Sequence, residues 1–119
     1  MVRKGRPISV GERFVVERAE TTPGAPPVVL KSVRSDRRGP RSEALLRHEW
    51  EVLRSLDFGG VARPIGLEEE SAGPLLVLED AGAEDLAAHL ERGPLETDRF
   101  LDLAIAMADA IASVHRRGF

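Results

Sequence analysis

Apolar positions along the chain fall first into short β-branched runs and later into helical stripes. Ile8-Ser9-Val10 and Phe14-Val15-Val16 predict two strands with Gly11 between them. Residues 21–27 hold Pro23-Gly24 and Pro26-Pro27, a turn whose prolines bar it from a central strand. Val28-Val29-Leu30-Lys31 follows as a third strand. Alternation puts Val29, Lys31 and Val33 on one face and Val28 and Leu30 on the other, so Lys31 ends a buried run.

Residues 35–40 are a polar, basic loop, and Ser42 is a candidate cap for a helix over about 43–56. In that helix Leu46, Leu53 and Leu56 form an apolar stripe, and Glu49 occupies the missing step. A carboxylate in a core-facing slot is costly unless a cation meets it, and Lys31 is the obvious candidate. Trp50 is expected to pack under the helix. Beyond a turn at 57–60, a strand is predicted over 61–67, a solvated hairpin loop over 68–74 and a central strand at Leu75-Leu76-Val77-Leu78. Ala81-Gly82 breaks the pattern, and a short helix is predicted over 85–91. Gly93-Pro94 ends it, and Thr97 or Asp98 caps a helix over about 98–117. Phe100, Ala104, Met107, Ile111 and Val114 form one stripe there. Leu101, Ile105, Ala108 and Ala112 form a second, the pattern of a helix covered on several sides.

Composition narrows the chemistry. At 119 residues the chain is one domain or part of one, and 42% apolar residues suffice for a core. The absence of cysteine removes disulfides, thiolate metal sites and cysteine nucleophiles. His48, His89 and His115 lie far apart, without metal-ligand spacing. A net charge of −3 gives no reason to expect a nucleic-acid partner. The basic start, Met1 to Arg6, is not followed by an apolar signal core, and no run approaches membrane-spanning length. The expected location is cytoplasmic.

On Val28-Val29-Leu30-Lys31 and the Glu49 of the next helix, the chain resembles the N-terminal lobe of a eukaryotic-type protein kinase. The third strand of that lobe carries a Val-Ala-Ile-Lys-like lysine that pairs with a helix glutamate. Five strands with one helix between the third and fourth, a break, then helices is also the family's order. The resemblance covers nearly the whole chain. It implies an α+β fold: a protein-kinase-like N-lobe with a five-stranded antiparallel sheet and one major helix over 1–80. The hinge and first C-lobe helices would follow over 81–119.

The same resemblance implies site residues. Lys31 would neutralise α/β-phosphate charge and Glu49 would fix Lys31, as the catalytic pair. The ATP-binding set would be Gly11, Val16, Val29, Lys31, Leu78, Glu79, Ala81 and Asp85. Leu78 would be the gatekeeper, Glu79 and Ala81 would offer backbone groups to adenine, and Asp85 would contact the ribose. Val16 and Val29 would form the ceiling over adenine. The family's Gly-x-Gly-x-x-Gly-x-Val loop, with Ala three further on, aligns with Ser9-x-Gly11-x-x-Phe14-x-Val16 and Ala19. Only Gly11 of the three glycines is present, where backbone amides must approach phosphates closely. Gly11 reads equally well as a plain hairpin glycine.

Two short matches mislead. Asp57-Phe58-Gly59 spells the kinase metal-binding motif but precedes the hinge, and reads as a turn. His115-Arg116-Arg117 lacks the aspartate of the catalytic loop, so His115 reads as a structural histidine at a helix C-terminus. The catalytic aspartate and the magnesium ligands would lie beyond Phe119. No metal ligand is therefore expected here, magnesium belongs to the complete domain, and ATP binding should be weak or absent in these residues alone. The implied partners are the C-lobe of the same domain and a protein substrate. Leu46 to Leu53, Leu76 to Asp80 and Asp98 to Leu101 further resemble large bacterial signalling proteins. Those proteins join a Ser/Thr-kinase-like domain to ATPase and sensor histidine kinase modules. The complete domain would transfer phosphate from ATP to protein hydroxyls. A pseudokinase-type interaction module is the alternative, favoured by the poor glycine loop and opposed by the intact Lys31–Glu49 pair.

Overall fold

The computed structural model describes residues 3–56, 58–80, 82 and 86–119, without the side chains of Arg3 and Lys4. Five strands form one antiparallel sheet: β1 (Arg3–Val10), β2 (Phe14–Glu20), β3 (Val28–Val33), β4 (Pro64–Glu70) and β5 (Gly73–Glu79). Their spatial order is β1-β2-β3-β5-β4, so β2, β3 and β5 are interior and β1 and β4 are edges. Strands β3 and β5 hold the continuous apolar runs, with Pro74 at the start of β5. The edges hold Pro7, Pro64 and the charged Glu68 to Glu70, residue types that edge strands tolerate. The helices are α1 (Pro40–Arg54), α2 (Leu86–Leu90) and α3 (Thr97–Arg116).

Alternation divides the sheet's apolar residues between two faces. Ala19, Val28, Leu30, Leu75 and Val77 are buried together on one. Leu76 and Leu78 are buried on the other against Leu46 of α1, with Val29, Val33, Trp50, Leu53 and Leu67 packed around them. Trp50 thus packs on this cluster as its position predicts. Arg47 of α1 also grips Glu69 of edge strand β4, with nitrogen–oxygen distances of 2.8 and 3.0 Å.

Several boundaries differ from those read in the sequence. Pro40 occupies the first turn of α1 and Gly39 stands at its N-cap, so Ser42 is inside the helix and caps nothing. The Ser42 hydroxyl instead donates to the Arg37 carbonyl at 2.7 Å and accepts from Arg13 at 3.2 Å. The fourth strand starts at Pro64, not at Val61, and runs through Glu70, because edge pairing with Gly73, Pro74 and Leu75 recruits the acidic residues expected to form a loop. Strand β1 extends back to Arg3 by pairing with β2. A register shift lies beside Gly5, where a Cβ would collide with the Arg18 carbonyl.

Helix α3 forms over the expected residues, but none of them is buried. The covering implied by its two apolar stripes is therefore missing among the described residues. No helix among those residues is long and apolar enough to cross a membrane.

Candidate functional site

The α1 face of the sheet brings the sequence-predicted residues into rows. Val16, Lys31 and Leu76 are direct partners across β2, β3 and β5. Arg18, Val29 and Leu78 form the next row, and Phe14 stands opposite Val33. Lys31 is thus the cation of an otherwise apolar row. Glu49 projects from α1 one turn beyond the fully buried Leu46, which fixes the height at which its carboxylate meets the sheet.

The pair closes as the stripe predicts. Lys31 Nζ lies 3.1 Å from Glu49 Oε1 and 2.8 Å from Oε2. The Lys31 side chain is 22% exposed and that of Glu49 32%, so the bond opens on solvent at one edge. Such a half-screened pair stabilises more than a surface pair and less than a buried one. The Phe14 ring centroid lies 4.9 Å from the same Nζ.

Val16 and Val29 are half-buried and present an apolar surface beside Lys31, while Leu78 is buried against Leu46. The other expected residues stand apart from it. The Gly11 amide donates to the Phe14 carbonyl at 2.9 Å, which commits it to the hairpin turn. Arg34 binds the carbonyls of Gly11 and Glu12 at 3.1 and 3.3 Å. Glu79 is exposed and donates its amide to the Arg63 carbonyl at 2.8 Å. It lines a cavity of about 390 Å³ with Leu56, Phe58, Val61, Ala62 and Arg63, and none of Val16, Val29 or Lys31 reaches that cavity. Ala81 and Asp85 lie outside the described residues, as does Asp57. Phe58 and Gly59 form a bend and turn, with the Arg117 guanidinium 5.3 Å from the Phe58 ring centroid. His115 is exposed in the last turn of α3, at the helix C-terminus where its position in the sequence places it.

Sequence reasoning missed a second ion pair on this face. Arg18 of β2 reaches Asp80, just past β5, through Nε to Oδ2 at 2.5 Å and a second nitrogen to Oδ1 at 3.2 Å. The Asp80 side chain is 4% exposed. The Arg18 hydrogen bond holds its carboxyl below the usual carboxylate range; burial opposes that, and the Gly82 amide, donating at 2.8 Å, assists. A positive φ of 75° at Gly82 lets the chain turn back onto Asp80. The signal was present in part: Asp80 two residues before a glycine is turn chemistry, and Arg18 interrupts the core-facing side of β2.

Among the described residues no group of three His, Asp or Glu could hold a metal ion. No protein-family model matches the chain, and no curated protein matches it.

Proposed function

We propose that the chain is the nucleotide-binding part of a serine/threonine protein-kinase-like domain. The observation that carries this reading is the bond between Lys31 on an interior strand and Glu49 on the helix packed against that strand, beside an apolar surface of Val16 and Val29. In this reading Glu49 keeps the Lys31 ammonium extended along the sheet, Val16 and Val29 take the flat face of an adenine, and Leu78 is the buried gatekeeper behind them. Bound ATP would supply the phosphoryl group, destined for a protein hydroxyl in the complete domain. The base end of the nucleotide fits the residues present. The phosphate end fits in part: Lys31 offers charge, while the Gly11 amide is already committed and Ser9 and Phe14 stand where the family has glycine. Asp80, at the end of β5, is held by Arg18 and by the Gly82 amide.

Phe14 against Lys31 favours a second reading, a pseudokinase-type module that binds partners through the same fold without transferring phosphate. NMR titration with Mg-ATP and with adenosine tests the nucleotide reading. Amide shifts at Val16, Val29 and Leu78 with both ligands are expected, with Lys31→Met weakening the ATP response alone. Unchanged spectra at millimolar ligand, or shifts confined to α3, refute it.

A further inference from the structure

Lys31 has a contact that its pairing with Glu49 does not require. The Phe14 ring centroid lies 4.9 Å from Nζ, within the range where an aromatic face attracts a cation. Phe14 is anchored there: it pairs with Val33 in the ladder and packs on the Leu46, Leu76 and Leu78 cluster. An ammonium has three donors. Two contacts, at 3.1 and 2.8 Å, go to the Glu49 oxygens, and the aromatic face covers a further flank. With 22% of the Lys31 side chain exposed, little of the charge is left for an incoming anion. Rotation of the Phe14 side chain away from Nζ would leave the ladder intact, because the pairing of β2 with β3 is made by backbone groups.

We propose that Phe14 is a lid on the Lys31 ammonium, and that its side chain decides whether a nucleotide phosphate reaches that charge. The phosphate half of this statement rests on the nucleotide reading above; the lid itself rests on the contacts of Phe14, Lys31 and Glu49. A side chain without an aromatic face leaves the ammonium open more of the time. Phe14 is then a specificity-determining residue that weakens the binding of phosphorylated forms without affecting that of an adenine nucleoside.

The test measures amine accessibility first. The sequence has two lysines, Lys4 and Lys31, so limited acetylation with acetic anhydride is read site by site by peptide mass spectrometry. Lys31 in the folded wild type should react far more slowly than in the urea-unfolded chain. Phe14→Leu, which keeps apolar volume but removes the ring, should raise the folded-state rate about tenfold, the size of a partly desolvated cation–π contact. Phe14→Met is the second replacement if leucine loosens the fold, and Trp50 emission reports that both remain packed. Equal Lys31 rates in the wild type and the folded replacements overturn the lid. Binding supplies the second arm: Phe14→Leu should gain affinity for Mg-ATP and not for adenosine. A loss of Mg-ATP affinity would mean that the ring holds Lys31 ready for phosphate, and also overturns the lid. If neither ligand binds any variant while the acetylation difference stands, the nucleotide reading falls and the lid survives.

Discussion

Leu30, Leu46 and Leu76 are at most 1% exposed, whereas Phe100, Ile105 and Ile111 on α3 are 56%, 60% and 52% exposed. Both regions have strong apolar patterning, and only the sheet with α1 turns it into a core. The difference lies in partners. Strands β3 and β5 are each flanked by two others and have α1 on one face, so their side chains meet neighbours distant in sequence. Helix α3 touches the 58–60 turn through Ala110 and Arg117 and shares an apolar hollow of about 490 Å³ with α2. Periodicity specifies which face of an element is apolar; long-range contacts decide whether that face leaves water.

The largest expected effect sharpens this contrast. Leu76→Ala should destabilise the chain by about 2–5 kcal/mol, the range for a buried leucine that leaves a cavity. Ile105→Ala on α3 should stay within about 0.5 kcal/mol, as for a surface change. Urea unfolding measures both, and equal losses would break the comparison.

The ion pair comes next. Lys31→Met and Glu49→Gln should each cost about 1–2 kcal/mol, between the surface and fully buried cases. The double replacement should cost less than the sum, because either change alone leaves the partner charge half-buried. Strict additivity in a double-mutant cycle would show that the two side chains do not act together.

A smaller effect depends on pH. The folded Asp80 carboxyl titrates below its unfolded value, so its contribution is present above about pH 4 and is lost as pH falls through the lower folded value. The stability gap between the wild type and Asp80→Asn should therefore be full at neutral pH and close in acid. A gap that widens in acid would contradict the Arg18–Asp80 account.

The smallest effect on stability belongs to Ile105→Glu. It should leave the urea midpoint within about 0.5 kcal/mol equivalent and reduce self-association in sedimentation velocity, since it interrupts an exposed apolar stripe. A stability loss like that of Leu76→Ala would place α3 in the core after all.

Residue type alone made the interior of the sheet legible. Val28 to Lys31 and Leu75 to Leu78 read as strands, the second as a central one, and Glu49 within a leucine stripe called for a cation. The helix start was misjudged because Ser42 resembles a cap, while Pro40 after Gly39 sets the boundary and the Arg37 carbonyl claims the hydroxyl. Glu68 to Glu70 read as loop because edge strands tolerate charge, and edge position is a property of the assembled sheet. Arg18 and Asp80 lie 62 positions apart, and no local pattern connects them. Glu79 donates its amide to the Arg63 carbonyl, a pairing that its position next to Leu78 did not reveal.

The most direct test of the central claim, that Lys31 is placed to meet a nucleotide phosphate, uses an acyl-phosphate derivative of ATP. Such a probe acylates a lysine amine held against its phosphates, and Lys4 supplies the internal reference within the same chain. Acylation concentrated at Lys31, suppressed by excess Mg-ATP, lost in Lys31→Met and stronger in Phe14→Leu, is the predicted result. Equal acylation of Lys4 and Lys31, unaffected by Mg-ATP, would contradict it.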